Sequence, residues 1–319
     1  MQSIKLARSR LKLRDLHILL VVATRGSMAK AAAELAISQP AVSRAISEME
    51  HELGLRLLDR GRNGVEPTAY GRALMKRGLT IFDELTQGLQ ELESLTDPTV
   101  GQLRIGSSEN VAAGLLPAVI DRFTRQHPGI RLNVSQAVLS TTQYRELRER
   151  SIDLLLGWIP MGFAEEDLLA ERVFDDPGCV VVGRQSKWAR SSKVTLSDLA
   201  DEAWILPPPD TFPGSSAANL FRETGLNMPR TPLTTLSIHL CCRLTATGRF
   251  VTLLPSSIVR FGGHDLSLKM LPVKLPRRPP VQVAVVRLKS RTLSPAAEKF
   301  IDCIREVSNA MVDKPRLRR

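Results

Sequence analysis

The chain has 319 residues, of which 43% are apolar and 24% charged, with a net charge of +11 and a pI of about 9.9. These proportions exclude a globally disordered chain and allow two or three domains with sizeable cores. The basic balance points to nucleic acid or another anionic surface as a partner.

The charge is segregated. Residues 1–77 carry 14 Lys and Arg against 7 Asp and Glu, whereas residues 78–98 carry 5 acids and no base. A basic head followed by an acidic segment suggests separate modules. The basic end, Lys314–Arg319, reads as a solvated terminus. Cys179, Cys241, Cys242 and Cys303 form no CxxC pair and have no histidine at zinc spacing. Reduced, buried thiols in a cytoplasmic protein are therefore expected, with no metal and no cofactor. The apolar run Ile18–Ala23 is too short for a secretory signal core, which needs about 7–15 residues. No run approaches the roughly 18 apolar residues of a membrane span.

Three helices are predicted first. Asp15–Thr24 is one. Ser27 then caps Met28–Leu35, Ala36 and Ile37 turn the chain, and Ser38 caps a third helix with Gln39 and Pro40 in its first turn. Val42, Ala45, Ile46 and Met49 share one face of that helix, extended by Leu53. Pro40, Ser43, Arg44 and Ser47 lie on the other, with Gln39 at the edge. A face of small polar groups with one Gln and one Arg suits the DNA major groove, where Gln can pair with adenine and Arg with guanine or phosphate. Asn63-Gly64 signals a hairpin between strands Leu57–Arg60 and Val65–Pro67, a wing that would carry Arg60 and Arg62 along the DNA backbone.

A long helix follows over 68–95. Leu74, Ile81, Leu85, Leu89, Leu92 and Leu95 recur near a 3.5-residue period, a seam that asks for a partner helix. Gly78 and Gly88 weaken it in isolation by about 1 kcal/mol each. Asp97-Pro98 ends it. The texture then becomes α/β. Strand Gln102–Ser107, helix Val111–Arg125, strand Ile130–Val138, helix Thr142–Arg150 and strand Asp153–Gly157 imply a parallel sheet. A second series runs through strands Cys179–Gly183, Ala203–Leu206 and Val251–Leu254, with helices Leu196–Ala200, Ser216–Thr224 and Ile238–Thr247. Strand Val281–Leu288 and helix Pro295–Asp313 close the chain. The whole is expected to form three parts. Residues 1–67 are a winged helix-turn-helix, 68–98 a linker and dimerisation helix, and 99–319 a two-lobed α/β clamp. One lobe takes about 99–169 and 271–313, and the other about 170–270.

The segment GSMAKAAAELAISQPAVSRAISEMEHELGLRLLDRGRNGVEPTAYGRAL, Gly26–Leu74, resembles the head of LysR-type transcriptional regulators, and the resemblance continues through nearly the whole chain. Leu58 stands where that family usually has an aromatic residue in the wing. The resemblance implies that Gln39, Pro40, Ser43 and Arg44 face bases or phosphates and that Arg60 holds the wing on the backbone. It implies a periplasmic-binding-protein-like effector domain, a homodimer through the linker helix, a homotetramer, and regulation of nearby genes by a small inducer. RNA polymerase is a candidate partner of such a regulator.

Ligands in two-lobed α/β clamps sit at the carboxyl ends of strands. Ser107 and Ser108 follow the first strand, and Ser140 and Thr141 follow the second. Pro208 and Thr211 follow a strand of the other lobe. Their hydroxyls and nearby helix amides could hold a carboxylate or a polyol, though Glu109, unless it points away, argues against a purely anionic ligand. Ser140 and Gln143 also fit a capping box. An enzyme is the rival reading, but no G-x-S-x-G elbow, Walker A loop or G-x-G-x-x-G is present, and His17, His51, His127, His239 and His264 lack partners at recognisable spacing. A secreted solute-binding protein would fit the α/β part alone, without the basic head.

Overall fold

The computed structural model describes residues 11–61, 64–97, 99–136, 144–159, 162–262, 266–276 and 281–312. They form two compact units, divided near Gln90.

The first unit is a trihelical head with a two-stranded wing. Helix α1 (Leu13–Arg25) buries Leu16, Leu19 and Val22. α2 (Met28–Glu34) adds Met28, Ala31 and Ala32, and α3 (Gln39–Leu53) adds Val42, Ile46 and Met49. Ala45 and Leu53 pack at the margin of the same core. The apolar face read from α3 is thus its buried face, each large side chain contributing about 1.5–3 kcal/mol. Between α2 and α3, Ala36 adopts φ 53°, the tight turn that sets the two helices at an angle. Strands β1 (Leu58–Gly61) and β2 (Gly64–Pro67) pair antiparallel, with Arg60 opposite Val65. Leu58 is buried, so the aliphatic substitute for an aromatic residue still packs in the core.

Helix α4 (Ala69–Thr96) is 28 residues long. Its first half packs on the head through Leu74, Met75 and Phe82. Gly78 has a structural reason: a Cβ there would lie 3.1–3.3 Å from the Leu16 side chain, so the glycine lets α4 approach α1. Gly88 has none, because a Cβ there would meet open space.

The second unit holds two five-stranded sheets. In the first, β3 (Gly101–Ser107) pairs in parallel with β4 (Ile130–Gln136) and β5 (Leu154–Ile159). β12 (Val281–Leu288) runs antiparallel to β5 and to β6 (Leu168–Asp176). The order is β4-β3-β5-β12-β6, so the sheet is mixed rather than wholly parallel. Its core sits under α5 (Glu109–Ala113), α6 (Leu115–Gln126) and α11 (Pro295–Val312), with Phe123 and Phe300 edge to face at 5.1 Å. On the other face α7 (Arg145–Arg148) covers Leu155 and Val286 through Tyr144 and Leu147.

The second sheet has the order β11-β7-β10-β8-β9, from β7 (Gly178–Gly183), β8 (Trp204–Leu206), β9 (Leu233–Thr234), β10 (Val251–Pro255) and β11 (Leu268–Met270). Trp204 and Phe221 of α8 (Phe212–Glu223) pack edge to face at 5.2 Å on one side. On the other side α9 (Ile238–Ala246) and α10 (Ser256–Gly262) bury Cys241, Cys242 and Ile258.

Three differences from the sequence reading have physical causes. The helix expected over Val111–Arg125 is two helices broken at Gly114, where a Cβ would lie 2.6 Å from Ser257 Oγ. The break also places Pro117 in the first turn of α6, where its missing N–H costs no helix bond. The first sheet continues through β6 to Asp176, beyond the expected crossing near 169, because Leu168–Asp176 pairs along its length with β12. Its two-residue alternation is interrupted by a register shift opposite Val283 and Ala284. The predicted helix Leu196–Ala200 is a short 3-10 turn over Ser197–Leu199.

Candidate nucleic-acid interface and interlobe site

The recognition surface follows from how α3 is anchored. Ser38 caps it, its hydroxyl accepting the Ala41 N–H at 3.3 Å. Ser27 caps α2, accepting the Lys30 N–H at 3.5 Å. Both serines therefore have a local structural task. With Val42, Ile46 and Met49 turned inward, Gln39, Pro40, Arg44 and Ser47 are exposed and Ser43 is half-buried. Arg60 is exposed on the first wing strand. Arg62 and Asn63 lie outside the described residues.

The wing is held by residues that sequence reading missed. Glu50 of α3 accepts the backbone N–H groups of Leu57 at 2.7 Å and Leu58 at 3.0 Å. Thr68 donates to the Arg56 carbonyl at 2.7 Å, and its own N–H bonds Leu57 O at 2.9 Å. The Val65 N–H bonds Gly26 O at 2.9 Å, tying the wing to the α1–α2 turn. The sequence signal for Glu50 is an acid on the last turn of α3 followed closely by a wing strand. Arg25 and Glu34 form an ion pair between α1 and α2.

In the second unit the strand order reverses between β3 and β5: from β3 the chain goes to β4 on one side and then to β5 on the other. Crevices at such reversals, at the carboxyl ends of strands, are the usual ligand sites of open α/β sheets. Ser107 ends β3 there and Ser108 follows it, and both are buried. Ser107 Oγ donates to the Ser108 carbonyl at 3.2 Å. Ser108 precedes α5, makes no side-chain cap, and its Oγ has no hydrogen-bond partner among the described residues. Glu109 reaches the other lobe, accepting the Ile238 N–H at 3.0 Å. Ser140 and Thr141 lie outside the described residues. Thr211 caps α8, accepting the Gly214 N–H at 3.2 Å, and donates to the Pro208 carbonyl at 2.6 Å. Pro208 and Thr211 are thus bound to each other.

The chain crosses between lobes at Asp176–Gly178 and again after β11. Asp176 marks the first crossing. Its backbone pairs with β12 of the first sheet, while its carboxylate accepts from Ser256 Oγ at 3.1 Å, Ser257 N at 3.0 Å and Ser257 Oγ at 2.6 Å. Burial raises the Asp176 carboxyl above the usual carboxylate range, and these serine hydrogen bonds oppose the rise. Burial likewise pushes the thiols of Cys179 and Cys242 up to about 12, which makes them poor nucleophiles. Among the described residues no group of three or more His, Cys, Asp or Glu could hold a metal ion. No described helix is long and apolar enough to cross a membrane.

These two units match two family descriptions. Residues 13–72 match the bacterial regulatory helix-turn-helix protein, lysR family, and residues 96–309 match the LysR substrate binding domain. The chain is 32% identical over 237 residues to the HTH-type transcriptional regulator GbpR of Rhizobium radiobacter, covering 72% of this chain and 78% of that protein. It is 28% identical to GbpR of Azospirillum brasilense over 304 residues, 95% of this chain and 88% of that one. The fold is similar to that of full-length CbnR complexed with its target DNA, with a TM-score of 0.62 and 21% identity, covering 93% of this chain and 100% of CbnR. With a helix-turn-helix head, a long α4 and a two-lobed α/β unit in one chain, this protein belongs to the LysR family of DNA-binding transcriptional regulators, and not to the enzymes.

Proposed function

We propose that this regulator senses a small polar metabolite between its two α/β lobes and transmits occupancy to promoter DNA as a homodimer joined through α4. The dimers would pair into a homotetramer in the cytoplasm, with RNA polymerase as the partner it influences. In this reading residues 1–67 bind DNA, 68–98 join the protomers and 99–319 sense the effector. Ser27, Ser38, Gln39, Pro40, Ser43, Arg44, Arg60 and Arg62 would lie against DNA. Ser107, Ser108, Ser140, Thr141, Pro208 and Thr211 would line the effector site.

The observation that carries the sensing role is the strand-order reversal between β3 and β5, with the buried Ser108 hydroxyl, without a hydrogen-bond partner among the described residues, just after the carboxyl end of β3. A buried hydroxyl left unpaired costs about 1–3 kcal/mol, a cost that a ligand group could remove. The test is a thermal-shift screen of metabolites against the full-length protein. A true effector at 100 times its Kd stabilises by about 2.7 kcal/mol. The hit should change operator binding. Ser107→Ala with Thr141→Val should lose that response while retaining operator affinity. A double variant that responds normally would remove these two residues from the site.

A further inference from the structure

Glu109 is the first residue of α5, and its carboxylate is shared between lobes. Oε2 accepts from Gln136 Nε2, at the end of β4, at 2.7 Å. Oε1 accepts the N–H of Ile238, the first residue of α9, at 3.0 Å. Helix N-termini leave their first N–H groups unpaired and carry partial positive charge. At the head of α9, Ser237 satisfies Leu240 at 3.3 Å, and Glu109 satisfies Ile238 from the opposite lobe. The negative charge that this helix end favours is therefore supplied by the protein itself.

We infer that Glu109 is both a latch between the lobes and a selector of effector charge, reserving the site for a ligand that offers O–H or N–H donors rather than a carboxylate. The inference rests on the sensing role proposed above and deepens it. An anionic ligand seeking the α9 amides would compete with a tethered carboxylate, whose effective concentration reaches the millimolar range for short tethers. It would also meet a like charge at close range. A donor group meets the reverse situation. Each carboxylate oxygen has two acceptor positions, and each oxygen of Glu109 uses one in the bonds above. The buried Ser108 hydroxyl, one residue earlier, has no hydrogen-bond partner among the described residues.

Amide hydrogen exchange on the full-length protein tests this without any effector, so its failure is distinct from failure of the sensing role. The Ile238 amide should exchange at least tenfold faster in Glu109→Ala than in the unaltered protein. Glu109→Gln, which keeps an acceptor oxygen, should fall between. Inorganic phosphate should slow Ile238 exchange in Glu109→Ala, where the seat is vacated, and leave it unchanged in the unaltered protein. Equal Ile238 exchange in all three proteins would overturn the latch. Phosphate protection of Ile238 in the unaltered protein would overturn the charge selection.

Discussion

Glu50 and Leu57 connect the recognition helix to the wing: the carboxylate on α3 accepts the Leu57 N–H at 2.7 Å and shares the same oxygen with Leu58. This side chain bonds directly between the two elements expected to touch DNA, alongside the Thr68 and Gly26 ties. Hydrogen bonds to a charged group are worth about 1.5–3 kcal/mol each, less where solvent reaches them. Glu50→Ala should lower the thermal midpoint and weaken binding to every duplex, because a displaced wing loses backbone contacts rather than base contacts. Glu50→Gln keeps an acceptor and should recover most of the stability. A Glu50→Ala protein with unchanged midpoint and unchanged affinity would show that the wing is held elsewhere.

The exposed face of α3 makes a sharper claim. Gln39→Ala and Arg44→Ala should each cost about 1–3 kcal/mol against the cognate operator and much less against unrelated DNA. Arg60→Ala should weaken binding to both alike and flatten the dependence on salt, since phosphate contacts release counterions whatever the sequence. Gel-shift titrations at two salt concentrations separate these outcomes. Equal losses on cognate and unrelated duplexes for Arg44→Ala would move that side chain from base reading to the backbone.

Much of this head was legible because α3 has one clean period. Val42, Ile46 and Met49 recur on a helical face and are the residues the fold buries. The α/β unit was legible where strands are short apolar runs, such as Val251–Pro255 and Val281–Leu288. It was not where tertiary contacts decide. The register shift in β6 hides its alternation, and the close approach of Gly114 to Ser257 joins residues far apart in the chain. For the interlobe site, Ser107 and Ser108 stood out as hydroxyls after a strand. The partnership of Glu109 with Ile238 joins residues 129 positions apart, and no local pattern announces it.

The two glycines of α4 should behave oppositely. Gly88→Ala adds a methyl into open space and should stabilise the helix by about 1 kcal/mol. Gly78→Ala places its methyl 3.1–3.3 Å from the side chain of Leu16, which is fully buried, so Leu16 or α4 must give by a few tenths of an ångström. That variant should lose stability despite the better helix propensity. Denaturant unfolding of the two proteins compares them directly. Stabilisation by both would mean that Leu16 gives way without cost.

Asp176 gives a pH dependence of definite sign. Its folded carboxyl is raised by burial, so the folded state holds that proton more tightly than the unfolded chain does. Its contribution to stability is therefore greatest below the ordinary carboxylate value and falls as pH rises through the raised one. Asp176→Asn removes this titration while keeping an oxygen for the Ser257 N–H. The difference in stability between variant and unaltered protein should move in favour of the variant as pH rises from 4 to 7. A difference independent of pH would show that the serine hydrogen bonds cancel burial, and one that moves against the variant would show that they outweigh it.

The last prediction concerns assembly. On α4, Ile81, Leu85, Leu89, Leu92 and Leu95 are 44–76% exposed, while Leu74 is drawn into the head. A stripe of five large apolar side chains along one helix is unusual for a monomer. A groove within the head is lined by Leu20, Val21, Leu79 and Phe82 together with His17, Thr24, Arg25 and Glu34, so it is a mixed surface and not a continuation of the stripe. A second α4 laid along the stripe would bury it, and the acids of 78–98 favour an antiparallel pairing that spreads like charge. Such a dimer would present two recognition helices to half-sites about one helical turn, or a multiple, apart. Leu85→Glu together with Leu92→Glu places charge in that seam without touching the head's core. Light scattering should then show at least a halving of the assembly mass, and operator affinity should fall steeply while binding to a single half-site persists. An unchanged mass would assign the stripe to another partner, and an unchanged operator affinity in a smaller particle would separate assembly from DNA reading.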